Sequence, residues 1–249
     1  MPILFEGFAN ALKADRSPFT HAKIISIQYE TSIWQVIMPF SAYNTIGAVV
    51  KEFQITYTQS NFIIETEFPI PDYFREDLEI VMQDGAVDCS ELAICENLIY
   101  PVLKEVWKRY SKKFIIWSHK SLNYDENLSG FPEYILARKS PLGNVVFDKP
   151  YFLLIEAKQD NFETGWAQCL AEMIAAQRLN ENPQQEVFGI VSNGGVWQFG
   201  KLKLNSFTKN KQSYLIDDLN RLFATINYVF KQCELLLDAE IADPLRGLR

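Results

Sequence analysis

The sequence predicts an α/β (α+β) protein whose segment 88–192 runs helix, strand, strand, strand, helix, strand. Three observations carry that expectation. Tyr151 to Lys158 (Y-F-L-L-I-E-A-K) opens with five apolar residues and suits a central strand covered on both faces. Two stretches, 88–110 and 162–180, repeat apolar residues at helical spacing. Between and after them lie short runs rich in β-branched and aromatic residues, bounded by turn-forming residues.

Residues 1–87 read as an N-terminal β-rich extension covering one side of the core, and 88–249 as the core itself. Leu4 to Leu12 has helical spacing, stopped by Asp15-Arg16 and Ser17-Pro18. Ile24–Tyr29, Trp34–Met38, Phe53–Tyr57 and Phe62–Phe68 read as short strands. Pro71-Asp72, with its acidic successors, is an ordinary helix start.

Asp84-Gly85 makes a turn, and Asp88 with Glu91 makes a capping pair for the first core helix. Its apolar stripe is Leu92, Cys95, Ile99, Val102, Leu103, Val106 and Tyr110. Glu96 falls inside that stripe, where a carboxylate needs a partner, either in a structural ion pair or in a site. Pro101 would cost a straight helix about 3 kcal/mol, so the continuous period predicts one bent helix.

Lys104, Lys108, Arg109, Lys112 and Lys113 close that helix, and Lys120 follows the strand Phe114–Trp117. The run is either a solvated face or a local phosphate-tracking surface for DNA or RNA, with Trp107, Tyr110 and Trp117 near enough to stack bases. Phe131–Leu136 is the next strand, with Glu133 near its start. Paired as a hairpin with Tyr151–Lys158, it would bring Glu133 to Glu156. Glu156 and Lys158 leave one strand face about 6 to 7 Å apart.

Phe162 to Asn180 is an amphipathic helix with Trp166, Cys169, Leu170, Met173 and Ile174 on one stripe, and Gln168 and Glu172 together on another face. Gln168 either points back at the acids or lies on the surface. Val187–Val191 and Val196–Leu202 form a hairpin through Asn193-Gly194-Gly195, and Asp217–Leu237 is a closing helix.

Composition narrows the function classes. With 48% hydrophobic residues in 249, the chain is not disordered. A net charge of −7 argues against a surface coated in phosphate-binding lysines, though not against one basic face. No apolar run reaches the ~20 residues of a membrane span. Met1–Glu6 has no basic n-region, so neither a signal nor a transit peptide is expected, and a cytoplasmic location is. Cys89, Cys95, Cys169 and Cys233 lack paired spacing and are expected as reduced thiols. His21 and His119, the only histidines, are expected to be structural, which leaves little from which to build a His-based zinc site or triad.

Pro132-Glu133 followed by Glu156-Ala157-Lys158, with Glu96 on the preceding helix and the stretch E-N-L-I-Y-P-V-L, resembles the PD-(D/E)XK, or restriction-endonuclease-like, nuclease superfamily. The resemblance covers 88–192. It implies a mixed central β-sheet flanked by helices and Mg²⁺- or Mn²⁺-dependent hydrolysis of phosphodiester bonds. By that likeness Glu133, Glu156 and the Ala157 carbonyl hold the metal, Lys158 orients or helps deprotonate the attacking water, and Glu96 stands behind as a metal ligand or water-binding acid; Gln168, from its place on the helix, is a further candidate. Duplex cutting in this superfamily further implies a homodimer. The first strand acid is usually Asp, and here it is Glu133, one methylene longer. The alternative is a catalytically inactive protein of the same fold that binds nucleic acid or a protein.

Overall fold

The computed structural model describes residues 40–242, which lie within one compact unit spanning Gln35–Arg249. The helix expected at Leu4–Leu12, the strands expected at Ile24–Tyr29 and Trp34–Met38, and His21 lie outside the described residues.

The helices are α1 (Ile46–Glu52), α2 (Asp72–Asp84), α3 (Glu91–Ile94), α4 (Tyr100–Tyr110), α5 (Phe162–Asn180) and α6 (Leu219–Ala242). The strands are β1 (Thr56–Ser60), β2 (Phe114–Ser118), β3 (Leu122–Asn123), β4 (Ser129–Gly130), β5 (Tyr134–Lys139), β6 (Phe147–Ala157), β7 (Val187–Ser192), β8 (Val196–Lys203), β9 (Ser206–Asn210) and β10 (Tyr214–Leu215). The main sheet has the order β1-β9-β8-β7-β6-β5-β2, with β10 also paired to β8. It is mixed: β2, β5 and β6 are antiparallel neighbours, β6 and β7 run parallel, and β8 turns back antiparallel to β7. The parallel β6–β7 pair requires a crossover, which α5 supplies.

Helices cover both faces of this sheet. On one, α2, α3, α4 and α6 bury Leu98, Val106, Phe223 and Phe230 against Phe152, Ile155 and Phe188. On the other, α1 and α5 bury Val49, Trp166, Leu170 and Met173 against Ile135, Leu154 and Val191. Each fully buried Leu, Ile, Val or Phe stabilises by about 1.5–3 kcal/mol, so this double-sided burial holds the fold. Residues Pro150 to Ala157 of β6 are buried without interruption.

Helix α5 departs from the expected amphipathic form: every residue from Gly165 to Gln177 is buried. The sheet lies on one side of it, and α1 and the single 3₁₀ turn Phe40–Ala42 lie on the other. Its start is close to the sheet because Gly165 has no side chain. A Cβ there would come within 2.7 Å of Val191 Cγ1 and 3.0 Å of Lys158 Cγ.

The first core helix is one bent rod, as its apolar period predicts, but its register shifts. Pro101 lacks the N–H that would bond back one turn, and the preceding turn, Cys95–Ile99, widens into a π turn in which the Tyr100 N–H donates to the Cys95 carbonyl. Ser90, not Asp88, caps the N-terminus, accepting from the Ala93 N–H. Leu92 and Glu96, both expected on the buried stripe, are exposed.

Other boundaries also move. β6 begins at Phe147, so Asp148-Lys149-Pro150 does not bound it. β9, which was not expected, follows β8 through a turn in which Leu204 has φ 52°. Of the strands expected in 40–87, β1 begins at Thr56 and joins the main sheet beside β9, whereas 62–68 is irregular. Phe62, Ile63 and Phe68 nonetheless pack on the α2–α4–α6 face. No described helix is long and apolar enough to cross a membrane.

The irregular 62–68 stretch is fixed by Asn227 on α6. Its amide donates to the carbonyls of Thr66 (3.0 Å) and Glu67 (3.3 Å) and its Oδ1 accepts from the Tyr110 hydroxyl (2.7 Å). Asn227→Ala frees the Thr66 and Glu67 carbonyls and takes from the buried Tyr110 hydroxyl its short bond, and an unsatisfied buried polar group costs about 1–3 kcal/mol. The expected result is a lower urea midpoint with an unchanged slope, and a loss under about 0.5 kcal/mol would contradict this role.

Candidate active site

The end of β6 carries the chemistry. Tyr134 pairs with Ile155, and continuing that antiparallel register by one residue sets Glu133 opposite Glu156. Lys158 follows two residues later, its backbone N–H still bonded to the Ser192 carbonyl (3.0 Å). From successive turns of α5, Gln168 and Glu172 point toward the same place. A cavity of about 300 Å³ is lined by Glu133, Glu156, Lys158, Gln168 and Glu172, with Ser41 and Phe131 at its wall. Gln168, which could equally have been surface, is buried.

Three acids meet one amine in this cavity. The Lys158 ammonium lies 2.8 Å from Glu156 Oε1 and 3.4 Å from Glu91 Oε2 at the start of α3. Glu133 is held from other directions: His119 Nε2 lies 2.7 Å from its Oε2, the His119 N–H donates to its carbonyl (3.0 Å), and the Cys95 thiol donates to the same Oε2 at 3.7 Å. Glu172 is 2% exposed, and its Oε2 has no hydrogen-bond partner.

Burial sets the protonation of these groups. Loss of water pushes the Glu156 carboxyl up to about 7; the Lys158 ammonium opposes this, and the charges of Glu133 and Glu91 add to it. Glu172 is raised well above the usual range, first by burial, then by the charges of Glu156 and Glu133. Burial works against the Lys158 ammonium, but Glu156 and Glu91 more than offset it and raise its pKa. The Cys95 thiol is pushed up to about 12, mainly by burial, which makes it an inert neighbour.

Among the described residues no group of three or more His, Cys, Asp and Glu side chains is arranged to hold a metal ion. Glu156 is turned to Lys158 and Glu133 to His119, which accounts for that. The chemistry of the donors nevertheless fits Mg²⁺ or Mn²⁺. Carboxylate and amide oxygens line the cavity, their negative charge exceeds that of one ammonium, and the unpartnered Glu172 oxygen needs a positive neighbour or a proton.

Of the residues singled out in sequence, Glu133, Glu156, Lys158 and Gln168 come together, and Ala157 is fully buried beside them. Glu96 does not join them. The π turn leaves it exposed on a neighbouring cavity, with His119 and Tyr134, while Glu91 reaches Lys158 instead. His119, expected to be structural, touches Glu133. Glu172 joins the site although the sequence signals only its i, i+4 spacing from Gln168, a shared polar face that reads as surface.

The basic strip is only partly free. Lys108 is bound by Glu105 and by the Tyr73 hydroxyl (2.8 Å), and Lys113 by Asp238 (2.7 Å) and Glu234 (3.0 Å). Arg109 lies 4.5 Å from the Phe68 ring centre, and Lys120 sits 5.7 Å from the Trp117 ring. Lys104 stands over Tyr100 at 5.6 Å, and Lys112 lines a cavity beside Trp107. Tyr110, considered for stacking, is buried.

No protein-family model matches the chain, and no curated protein matches it significantly in sequence.

A carboxyl whose pKa is raised on folding contributes stability that is fully present below the unfolded value, near 4.3, and is lost as pH rises through the folded value. For Glu156 that window runs from about 4.3 to about 7, and Glu172 extends it upward. Glu172→Gln keeps the shape and removes the ionisation. In EDTA its urea midpoint should exceed the parent's at pH 8, with the gain shrinking toward zero near pH 4; a pH-independent difference would contradict the assignment.

Proposed function

We propose that this protein is a metal-dependent nuclease built on a restriction-endonuclease-like core of the PD-(D/E)XK type. The order of elements supports the reading: the helix α3–α4, the antiparallel β2, β5 and β6, the crossover α5, and β7 parallel to β6. The observation that carries it is the meeting of Glu133, Glu156 and Lys158 from adjacent strand ends in one cavity.

In this reading Glu133, Glu156 and the Ala157 carbonyl would hold Mg²⁺ or Mn²⁺, and Glu172 would offer a further oxygen nearby. When bound, such a cation supplies Lewis-acid stabilisation of the phosphoryl oxygens and a more acidic water. Lys158 turns from Glu156 toward the attacking water, orients it and stabilises the charge that develops on the phosphoryl group. The Gln168 amide offers a neutral donor and acceptor to the same water or to a phosphate oxygen. His119 keeps Glu133 in place through its 2.7 Å contact. Since α5 and the 3₁₀ turn close over the strand ends, these groups act in a partly dry site, where each charge interaction is stronger.

One observation favours a second reading, a nucleic-acid or protein binding module on the same fold. Lys158 is held between Glu156 and Glu91, and among the described residues no three His, Cys, Asp or Glu side chains are arranged to hold a metal ion.

Cleavage of a mixed panel of single- and double-stranded DNA and RNA separates the two. The nuclease reading expects cutting in Mg²⁺ or Mn²⁺, abolished by EDTA, and at least a ~100-fold lower rate in Lys158→Ala, the scale of losing a charge-stabilising donor. No cutting of any substrate in either ion would overturn it and leave the binding module.

A further inference from the structure

Of the cations in the basic strip that are not engaged by acids, Lys104 and Lys112 lie along one path, whereas Arg109 covers Phe68 and Lys120 covers Trp117. One cavity, of about 470 Å³, is lined by Glu96, Tyr100, His119 and Tyr134. A second, of about 330 Å³, is lined by Tyr100, Trp107, Lys112, Lys139 and Asn144. Tyr100 belongs to both, so the two form one groove along α4 and the edge strand β2. At the other end, His119 touches Glu133, which lines the cavity of the acids. From Glu96 to the helix end at Tyr110 the rise is about 21 Å, enough for several nucleotides of an extended strand.

The surfaces change character along this path. Near Glu133 the groove is acidic. In its middle, Tyr100 is backed by the stacked Tyr134 ring (5.6 Å between centres, 19° between planes). Trp107 is held by its indole N–H donating to the Phe114 carbonyl at 2.9 Å. Both aromatics are therefore fixed before any ligand arrives, which lowers the entropic cost of binding to them. At the far end stand Lys112 and Lys139, exposed and without an ion pair among the described residues, with Lys104 beside Tyr100.

We propose that this groove binds single-stranded nucleic acid, with phosphates tracked by Lys104, Lys112 and Lys139 and bases stacked on Tyr100 and Trp107. The strand then leads past His119 into the cavity of Glu133, Glu156 and Lys158. That direction rests on the nuclease reading, whereas the binding does not. A duplex is disfavoured on two grounds. Its bases are already stacked and cannot reach half-buried rings in a concavity, and these few cations on a chain of net charge −7 are too sparse to follow two phosphate backbones. Glu96, on the groove wall, repels phosphate and accepts hydrogen bonds from base amino groups, so bases rather than backbone face it.

The test uses the full chain carrying Lys158→Ala, in EDTA, with fluorescent DNA and RNA strands of about 12 nucleotides and the matching duplexes, read by anisotropy at low salt. The single strands should bind at least ~10-fold more tightly than the duplexes. Tyr100→Ala should weaken single-strand binding about tenfold, and Tyr100→Phe should restore it. The pair Lys112→Glu and Lys139→Glu should weaken binding and flatten its salt dependence. Preference for duplex, no binding to either form, or binding unchanged by the charge reversals would overturn the groove. The predicted binding pattern in a parent protein that cuts nothing in Mg²⁺ or Mn²⁺ would remove the nuclease reading and leave the groove. Cutting without that pattern would do the reverse.

Discussion

The structure turns on two carboxyls held out of water, Glu156 near the C-terminal end of β6 and Glu172 on α5, with the Lys158 ammonium paired to Glu156. Taking such groups from water costs several kcal/mol each unless they are paired, hydrogen-bonded or protonated. Here only Glu156 has an ammonium within reach, and Glu172 stays protonated or calls for a cation. The surrounding fold tolerates the arrangement because it is apolar and well packed on both faces of β6. Local cost inside an otherwise consistent structure is what a functional site leaves behind.

Neighbouring features follow from that constraint. Gly165 is required where Lys158 passes under the first turn of α5, since a Cβ would meet its stem. The π turn ahead of Pro101 brings Cys95 and Glu91 toward Glu133 and Lys158 while moving Glu96 outward. His119 has φ 48°, uncommon for a non-glycine residue, and there it reaches the Glu133 side chain. Each detail serves the end of β6.

Much of this was legible in the sequence where one period dominated. The bounds of α5 follow from its apolar repeat and the stop after Asn180, and the β5–β6 hairpin brings Glu133 to Glu156 as their placement at strand ends suggests. Signals failed where long-range packing overrode local chemistry. Pro150 reads as a break, yet β6 continues through it from Phe147. Leu204 adopts a left-handed turn that its residue type does not advertise, which hid β9. A π turn inserts one residue into a helical count, so an unbroken count puts Glu96 on the buried side whereas the structure exposes it. The burial of Glu172 depends on what lies over α5, and its own helix says nothing about that.

The most direct test of the account is whether the acids bind a hard cation at the expense of a proton. Mn²⁺ titrated by calorimetry into the wild-type protein at pH 7, in two buffers of different ionisation enthalpy, should show one site with heats that differ between buffers, because binding displaces protons from buried carboxyls. Glu156→Ala should lose that site. No saturable heat in the wild type, or equal binding by the variant, would contradict the account.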